Sequence, residues 1–378
     1  MTWIAWKMLT GNQGKYLGII LGIAFASLLI AQQSSIFCGL MLLTTSQIQD
    51  LEGADIWVMD PNVQFVDDIK PMSENDLYRV RGVPGVAWAV RLYKGITRAR
   101  MSNGNFQQII LLGLDDATMI GAPREIVAGK LADLRRPDAI IMDEAGYKLL
   151  WPGEPYRLGR TFEMNDRRAL LVGVCKARRT FQTFPIVYTR YTAAVSFSPA
   201  ERKVLSFILA QPENGADGQE VCRRIERQTG LQALTREQFN WTTIVYYMQK
   251  TGIPVNFGIT VLLGFLVGTA IAGQTFYLFT IENLKQFGAL KAMGTGNLRL
   301  VGMILFQSLV VGVIGYGLGI GAAAGFGWAV KNSARLAFYM PWQVLAGTGV
   351  AVVFIAMLSS VLSMRRVLLL EPAVVFQG

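Results

Sequence analysis

The stretch Tyr16–Leu43, YLGIILGIAFASLLIAQQSSIFCGLMLL, has 28 residues and no charged side chain. As an α-helix it would reach about 42 Å, which is longer than the roughly 30 Å hydrocarbon core of a bilayer. No Pro occurs between Leu17 and Asp60, and Pro is the residue that most readily breaks a helix. The sequence therefore predicts a long membrane-spanning helix over residues 16–45.

Three further apolar stretches are long enough to cross a membrane, and all lie in the C-terminal third of the chain. They run from about Val255 to Phe279, from about Leu300 to Val330 and from about Trp342 to Leu362. The predicted fold class is an α-helical membrane domain of four transmembrane helices, with an α+β domain inserted between the first and the second. We expect the inserted domain to cover residues 46–250, and the three later helices with their connecting segments to cover 251–378.

The charged residues are unevenly distributed along the 378-residue chain. Overall it is 52% hydrophobic and only 16% charged, whereas soluble domains contain about 25% charged residues. Residues 46–250 hold 27 of the 36 Lys and Arg side chains and 24 of the 26 Asp and Glu side chains, so this segment has a water-soluble composition. The rest of the +10 net charge flanks the apolar stretches, which is typical of membrane topology and not of nucleic-acid binding.

Basic residues near the ends of the apolar stretches predict the orientation. One side holds Lys7, Lys15, Lys285, Lys291, Arg299, Arg365 and Arg366, and the other side holds only Lys331 and Arg335 in a short loop. Because cytoplasmic loops are rich in Lys and Arg, we expect both termini to be cytoplasmic and the inserted domain to be periplasmic. Trp3 and Trp6 beside Lys7 further predict an interfacial helix within residues 1–15.

The composition excludes several kinds of active site. The chain has no His, so a Ser-His-Asp or Cys-His nucleophile and a His-ligated metal are both excluded. No Gly-x-x-x-x-Gly-Lys-Ser/Thr phosphate loop occurs, so any ATP would be bound by another subunit. The acidic pairs Asp115–Asp116 and Asp143–Glu144 are better interpreted as solvated loop charges than as catalytic acids.

Two features inside the predicted spans have both a structural and a functional interpretation. Gln32 and Gln33 lie in the middle of the first span, where they either bond to a neighbouring helix or line a substrate path. The third span carries small residues at helical spacing, namely Gly315, Gly319, Gly321 and Gly325. These glycines predict close helix packing, either within one subunit or at a dimer seam.

In the inserted domain, residues 108–112, 139–141 and 169–174 have the pattern of strands, and residues 73–80 and 218–228 that of helices. Cys175 and Cys222 share this domain, and the sequence leaves open whether they form a disulfide or remain separate buried thiols. The basic cluster Lys176, Arg178 and Arg179 is either a solvated turn or a surface for an anionic lipid or a partner protein.

The segment Ile281–Gly296, IENLKQFGALKAMGTG, connects the second and third spans. Its apolar residues Ile281, Leu284, Phe287 and Leu290 follow helical spacing, and Gly294 is suited to end the helix. The pattern predicts a short amphipathic helix over residues 281–294, able to dock into a groove on a soluble partner.

This segment resembles the coupling segment of the FtsX-like permeases of ABC transporters, which include MacB-type, LolC/E-type and DevC-type proteins. The resemblance extends over the chain, from Ala5-Trp6-Lys7 to the tail Leu369–Phe376, and the motif Gly53–Val58 is most like the DevC-type branch. Two positions depart from the family pattern, because Gln286 and Gln307 stand where many members have acidic residues.

The resemblance implies a non-enzymatic, multi-pass subunit of the bacterial inner membrane that works as a homodimer. It implies no cofactor in this chain, with ATP and Mg bound by a separate ABC ATPase subunit. It further implies mechanotransmission, with export of a lipid, glycolipid or other amphiphile through a membrane-fusion (HlyD-like) periplasmic adaptor and a TolC-like outer-membrane channel. The alternative is a non-transporting FtsX-like signalling permease that activates a periplasmic cell-wall hydrolase.

On this resemblance, the residues expected to couple to the ATPase are Glu282, Lys285, Gln286, Phe287, Gly288, Leu290, Lys291 and Gly294. Phe287 and Leu290 are expected to be the apolar anchors, and Lys285 and Lys291 the charges at the rim.

Overall fold

The computed structural model describes residues 2–11, 13–101, 103–198, 205–330 and 336–369. The chain divides into two compact units. The membrane unit comprises Met1–Leu40 and Gly252–Gly378, and the external unit comprises Met41–Thr251. Three parts of the sequence-based predictions lie outside the described residues, namely Lys331, Arg335 and the C-terminal tail from residue 370.

The α-helices of the described residues occur in both units. In chain order they are α1 (Thr2–Gly11), α2 (Gln13–Thr44), α3 (Ser46–Asp50), α4 (Glu74–Arg81), α5 (Glu144–Leu150), α6 (Tyr191–Phe197), α7 (Gly218–Thr229), α8 (Arg236–Lys250), α9 (Ile253–Glu282), α10 (Leu284–Ala292), α11 (Asn297–Val330) and α12 (Trp342–Leu368). Among the described residues, four of them, α2, α9, α11 and α12, are long and apolar enough to cross a membrane.

The spans of the membrane unit pack through small residues. A Cβ atom added at Gly319 of α11 would lie 2.5 Å from the Ala24 carbonyl oxygen and 2.6 Å from the Ser27 Cβ of α2. At Gly268 of α9, the added Cβ would lie 2.3 Å from the Ala26 Cβ. Because only glycine allows these backbones to approach so closely, α2 is held between α9 and α11.

The external unit is built on one mixed β-sheet. Its strands are β1 (Ile56–Met59), β2 (Val86–Arg100), β3 (Phe106–Leu114), β4 (Glu125–Gly129), β5 (Ala139–Asp143), β6 (Thr161–Met164), β7 (Arg167–Lys176), β8 (Ile186–Arg190), β9 (Phe207–Pro212) and β10 (Gln232–Thr235). The order is β10-β1-β9-β2-β3-β8-β5-β7-β4, and β6 pairs with β2 and β7. The predicted fold class, four apolar helices with an α+β domain between the first and second, is confirmed.

The long strand β2 joins the two halves of this sheet. Its first half pairs with β9 and its second half with β3. Successive residues of β3 alternate between two apolar cores, with Ile109 and Leu111 in one and Ile110 and Leu112 in the other. The sheet therefore has a buried core on each face, as expected for strands rich in β-branched and aliphatic residues.

The strands and helices predicted within the inserted domain are confirmed as β3, β5, β7, α4 and α7. Cys175 and Cys222 are free thiols and lie in the cores on opposite faces of the sheet. Burial raises the pKa of Cys222 to about 12. The disulfide alternative is therefore wrong, because a bond between these sulfur atoms would have to pass through the sheet.

The interpretation of the acidic pairs as solvated loop charges is wrong for Asp115 and Asp143, because both carboxylates are buried and hydrogen-bonded. The Asp143 carboxylate caps α5, because its Oδ1 accepts hydrogen bonds from the backbone N–H groups of Gly146 (2.9 Å) and Ile186 (3.2 Å). Burial raises the pKa of Asp143 to about 6. Asp115 closes a turn by accepting hydrogen bonds from the backbone and hydroxyl of Thr118.

Candidate functional site

The predicted coupling segment forms the short helix α10, which begins directly after α9. Asn283 separates the two helices, and its carbonyl oxygen accepts a 3.0 Å hydrogen bond from the backbone N–H of Phe287. At the other end, Gly294 has a φ of +86° and its N–H bonds to the Lys291 carbonyl oxygen. A left-handed residue after the last turn favours glycine, so the sequence stops α10 where Gly294 occurs.

The structure places the expected apolar anchors inside the chain. Phe287 is fully buried and Leu290 is only 8% exposed, and both belong to the core of the membrane unit. Gly288 is buried on the same side of α10. The expectation that Phe287 and Leu290 contact a partner is therefore not met in this structure, because the amphipathic helix uses its apolar face to pack on its own spans.

The opposite face of α10 is exposed and carries different residues. Lys285, Gln286 and Ala289 are exposed on it. Met293 follows at 74% exposure, and Leu298, in the first turn of α11, is 88% exposed. We call these five residues the coupling surface.

Sequence reasoning missed Met293 and Leu298 because they fall outside the periodic stripe of α10. Their position in the sequence was an available signal, because Met293 and Leu298 lie on either side of the Gly294–Gly296 turn. An apolar side chain next to such a turn is not part of the buried face of a helix. An exposed apolar patch rimmed by polar residues is typical of an interaction site, and Met is enriched at protein interfaces.

The first helix adds a cleft next to the coupling surface. A cavity of about 480 Å³ is lined by Trp3, Lys7 and other residues of α1 together with Glu282, Asn283 and Gln286. Trp3 is 69% exposed, and the Lys7 ammonium lies 5.8 Å from the centre of its ring. The buried Gln307 holds α1 in place, because its amide nitrogen donates a 2.8 Å hydrogen bond to the Ala5 carbonyl oxygen.

Two polar contacts lie beside the two ends of α10. Before its start, Glu282, the last residue of α9, forms an ion pair with Lys15 of α2. The helix predicted over residues 281–294 is therefore shorter in the structure, because Ile281 and Glu282 continue α9. At the end of α10, the Lys291 ammonium donates a 2.9 Å hydrogen bond to the carbonyl oxygen of Leu368 in α12, where a cation is favoured by the helix dipole. A displacement of α10 would therefore act on both of these spans.

The last residues of α2, from Met41, belong to the external unit, as does Asp50 of α3. The buried Asp50 carboxylate accepts a 2.7 Å hydrogen bond from the Arg178 backbone N–H and lies 3.3 Å from the Arg178 guanidinium. Burial raises the pKa of Asp50, while Arg178 and Arg124 oppose the rise. Arg178, from the basic cluster, thus pairs inside the domain, and Lys176 pairs with Glu125.

The remaining predicted site residues are not gathered at α10. Gln32 and Gln33 are half-buried within α2. Gly315 packs within the chain, since an added Cβ would lie 2.8 Å from the Ile23 side chain. Gly321 and Gly325 have open space beside them, so only these two of the four glycines remain available to a second subunit.

Within the described residues no group of three or more Cys, Asp and Glu side chains has the arrangement of a metal site. The coupling surface presents three exposed apolar side chains, an amide and a cation.

Comparisons with known proteins cover most of the chain. Residues 16–228 match the family described as MacB-like periplasmic core domain, and residues 258–372 match FtsX-like permease C-terminal. Two curated proteins are 23% identical over 339 residues, which is 87% of this chain and 86% of theirs. They are the uncharacterized ABC transporter permeases MT0078 and Rv0072 of Mycobacterium tuberculosis strains CDC 1551 / Oshkosh and ATCC 25618 / H37Rv.

Two solved structures, each of an extracellular or periplasmic region, are similar to about half of this chain. The extracellular domain of the noncanonic ABC-type transporter YknZ from Gram-positive bacteria is 17% identical, covering 48% of this chain and 98% of that one, with a TM-score of 0.36. The periplasmic region of MacB from Actinobacillus actinomycetemcomitans is 14% identical, covering 52% and 94%, with a TM-score of 0.40. Because the MacB-like match alone covers more than half of the sequence, the chain belongs to the FtsX-like, MacB-type family of ABC transporter permeases.

Proposed function

We propose that this permease transmits ATP-driven motion from a separate ATPase subunit to its external unit, and that the motion drives export. The observation that supports the proposal is a pair of contacts on either side of α10, Lys15–Glu282 at the end of α9 and Lys291–Leu368 at the end of α10. An ATPase that binds the coupling surface and moves it would move α2 and α12 with it. ATP and Mg would be bound by that ATPase, since this sequence has no phosphate loop.

The helix α2 is suited to carry the motion outward. It runs unbroken over Gln13–Thr44, a length of about 48 Å, which exceeds the roughly 30 Å hydrocarbon core. Lys15 lies at one end of it, and beyond Thr44 the short helix α3 carries Asp50, which is bonded to Arg178 beside the sheet. The proposed path therefore consists of a continuous helix, α2, and of polar contacts that each lie within one unit.

The further assembly follows the family resemblance and the charge distribution. In this proposal the protein is a homodimer in a bacterial inner membrane, with both termini in the cytoplasm. Gly321 and Gly325 face the second copy, because they are the predicted seam glycines with open space beside them. A HlyD-like adaptor and a TolC-like channel would complete an efflux path for a lipid, glycolipid or other amphiphile.

A charge exchange tests the mechanical link. Lys15→Glu places two carboxylates together and should uncouple ATP hydrolysis from the permease, so that the ATPase of the reconstituted complex loses its stimulation. The double variant Lys15→Glu/Glu282→Lys restores the pair and should restore stimulation. If both variants behave like the parent protein, the ion pair does not carry the motion.

Purification of the complex from native membranes tests the assignment to export. An adaptor that co-purifies with the ATPase and this chain would support efflux. A cell-wall hydrolase that co-purifies instead of an adaptor would contradict export and support the signalling role.

A further inference from the structure

The spans α9 and α12 pack against each other near Gly273 and Ser359. Where they pack, a Cβ added at Gly273 would lie 3.8 Å from the Ser359 Cα, and the Ser359 hydroxyl lies 3.5 Å from the Thr269 carbonyl oxygen. Beside this contact the two helices border a cavity of about 650 Å³. This volume lies within the range of about 300–1,000 Å³ that is typical of small-molecule sites.

The cavity combines an apolar wall with polar groups. It is lined by Thr269, Ala270, Gly273, Gln274 and Tyr277 of α9, and by Arg365 and Leu369 at the end of α12. Thr269 contributes little polarity, because its hydroxyl already donates to the Phe265 carbonyl oxygen at 2.8 Å.

Two of the lining polar groups make no polar contact with the part of the chain that the structure describes. Among the described residues, no hydrogen bond or ion pair involves the side chain of Gln274 or Arg365. Both side chains are exposed on helices that cross the membrane. An amide group within a membrane span is costly unless a polar group satisfies it, and a guanidinium is a strong donor to an anion. A ligand that suits this cavity therefore has both a polar and an apolar part.

The depth of these residues suits a lipid headgroup. From Trp342 to Arg365 along α12 is about 34 Å, close to the roughly 30 Å thickness of the hydrocarbon core. Trp342 is 71% exposed at the opposite end, as expected for a residue at the membrane–water interface. Arg365 therefore lies at the level where phosphate groups are found.

We propose that this cavity binds one anionic phospholipid as a resident ligand. Arg365 binds the phosphate, Gln274 donates to an ester carbonyl of the glycerol region, and an acyl chain lies along Ala270 and Gly273. The charge at this end of the membrane unit favours an anionic lipid, because the chain there also carries Lys285, Lys291 and Arg299, with Glu282 as the one acid among its described residues.

The site has a direct connection to the coupling segment. Leu369 lines the cavity, and the carbonyl oxygen of the preceding residue, Leu368, accepts the hydrogen bond from Lys291 at the end of α10. A lipid bound at this position steadies the last turn of α12 and with it the attachment of α10. Binding of this lipid does not depend on whether the chain works in export.

The test is native mass spectrometry of the full chain, purified in mild detergent and exposed to equal amounts of phosphatidylglycerol and phosphatidylcholine. We expect one phosphatidylglycerol retained in preference to phosphatidylcholine. Arg365→Gln should reduce that preference about tenfold, the effect of losing one charge-assisted hydrogen bond. Ala270→Phe, which fills the cavity and keeps the charge, should reduce retention of both lipids.

Arg299→Gln is the matched control, because Arg299 is exposed at the same end of the membrane unit but does not line the cavity. It should retain phosphatidylglycerol like the parent protein. Equal lipid retention by the parent, Arg365→Gln and Ala270→Phe proteins would overturn the proposal and indicate only annular lipid. Conversion of dimer to monomer by Ala270→Phe would also overturn it, because a second copy would then cover the cavity.

Discussion

Replacing Leu298 by Ala should weaken binding of the ATPase subunit without affecting the fold. Leu298 is 88% exposed, so almost all of its side chain is available for burial by a partner. The change removes three carbon atoms, each worth about 0.8 kcal/mol when buried, so the loss is about 2 kcal/mol. At 25 °C this corresponds to an increase of about 30-fold in the dissociation constant.

The assay is a titration of the purified ATPase subunit onto the permease in lipid nanodiscs. Phe287→Ala is the informative comparison, because Phe287 is fully buried in the core of the membrane unit. Its truncation should cost about 3–5 kcal/mol of packing and lower the melting temperature, whereas Leu298→Ala should leave the melting temperature unchanged. Unchanged ATPase affinity for Leu298→Ala would refute the reasoning, most directly if Phe287→Ala lost affinity at a normal melting temperature.

Three further predictions concern the packing and the external unit. Gly319→Ala should lower the melting temperature because its Cβ meets the backbone of α2, whereas Gly321→Ala, with open space beside it, should not; equal melting temperatures would contradict this. The pKa of Asp143 is raised to about 6 in the folded protein, so the folded state binds the proton more tightly than the unfolded state does. The resulting gain in the free energy of unfolding is complete below pH 4 and is lost as the pH rises through 6. Asp143→Asn should therefore gain up to about 3 kcal/mol relative to the parent between pH 4 and pH 7.5, measured by denaturant unfolding, and a pH-independent difference would contradict it. Cys175 and Cys222 should resist alkylation in the native protein and both react in detergent-denatured protein without reductant; persistent protection after denaturation would restore the disulfide.

The sequence predicted the fold class because long apolar stretches and alternating strands report directly on burial. It predicted that α10 exists and is amphipathic, but it assigned the apolar face to a partner. Periodicity shows that Phe287 and Leu290 share a face, and it does not show whether that face meets another protein or the chain's own spans. For the glycines of α11, the sequence left open whether they pack within one subunit or at a dimer seam. In the structure Gly319 packs against α2, whereas Gly321 has open space beside it.

Contacts between distant parts of the chain were beyond the reach of sequence patterns. Lys15 and Glu282 are 267 residues apart, and Asp50 and Arg178 are 128 apart. No local spacing rule links such residues, although each was visible as a charge beside an apolar stretch or a strand. The proposed transmission of motion depends on these two pairs, so it could be formulated only once the three-dimensional structure was known.

The most direct test of the proposed ATPase docking is site-specific photo-cross-linking in native membranes. A photoreactive amino acid is placed at Leu298 in one variant and at Phe287 in another, and the captured proteins are identified by mass spectrometry. We expect an ABC ATPase subunit cross-linked from position 298 and a cross-link within the chain from position 287. Capture of the ATPase from position 287 alone, or no ATPase from position 298 in an assembled complex, would contradict the proposal.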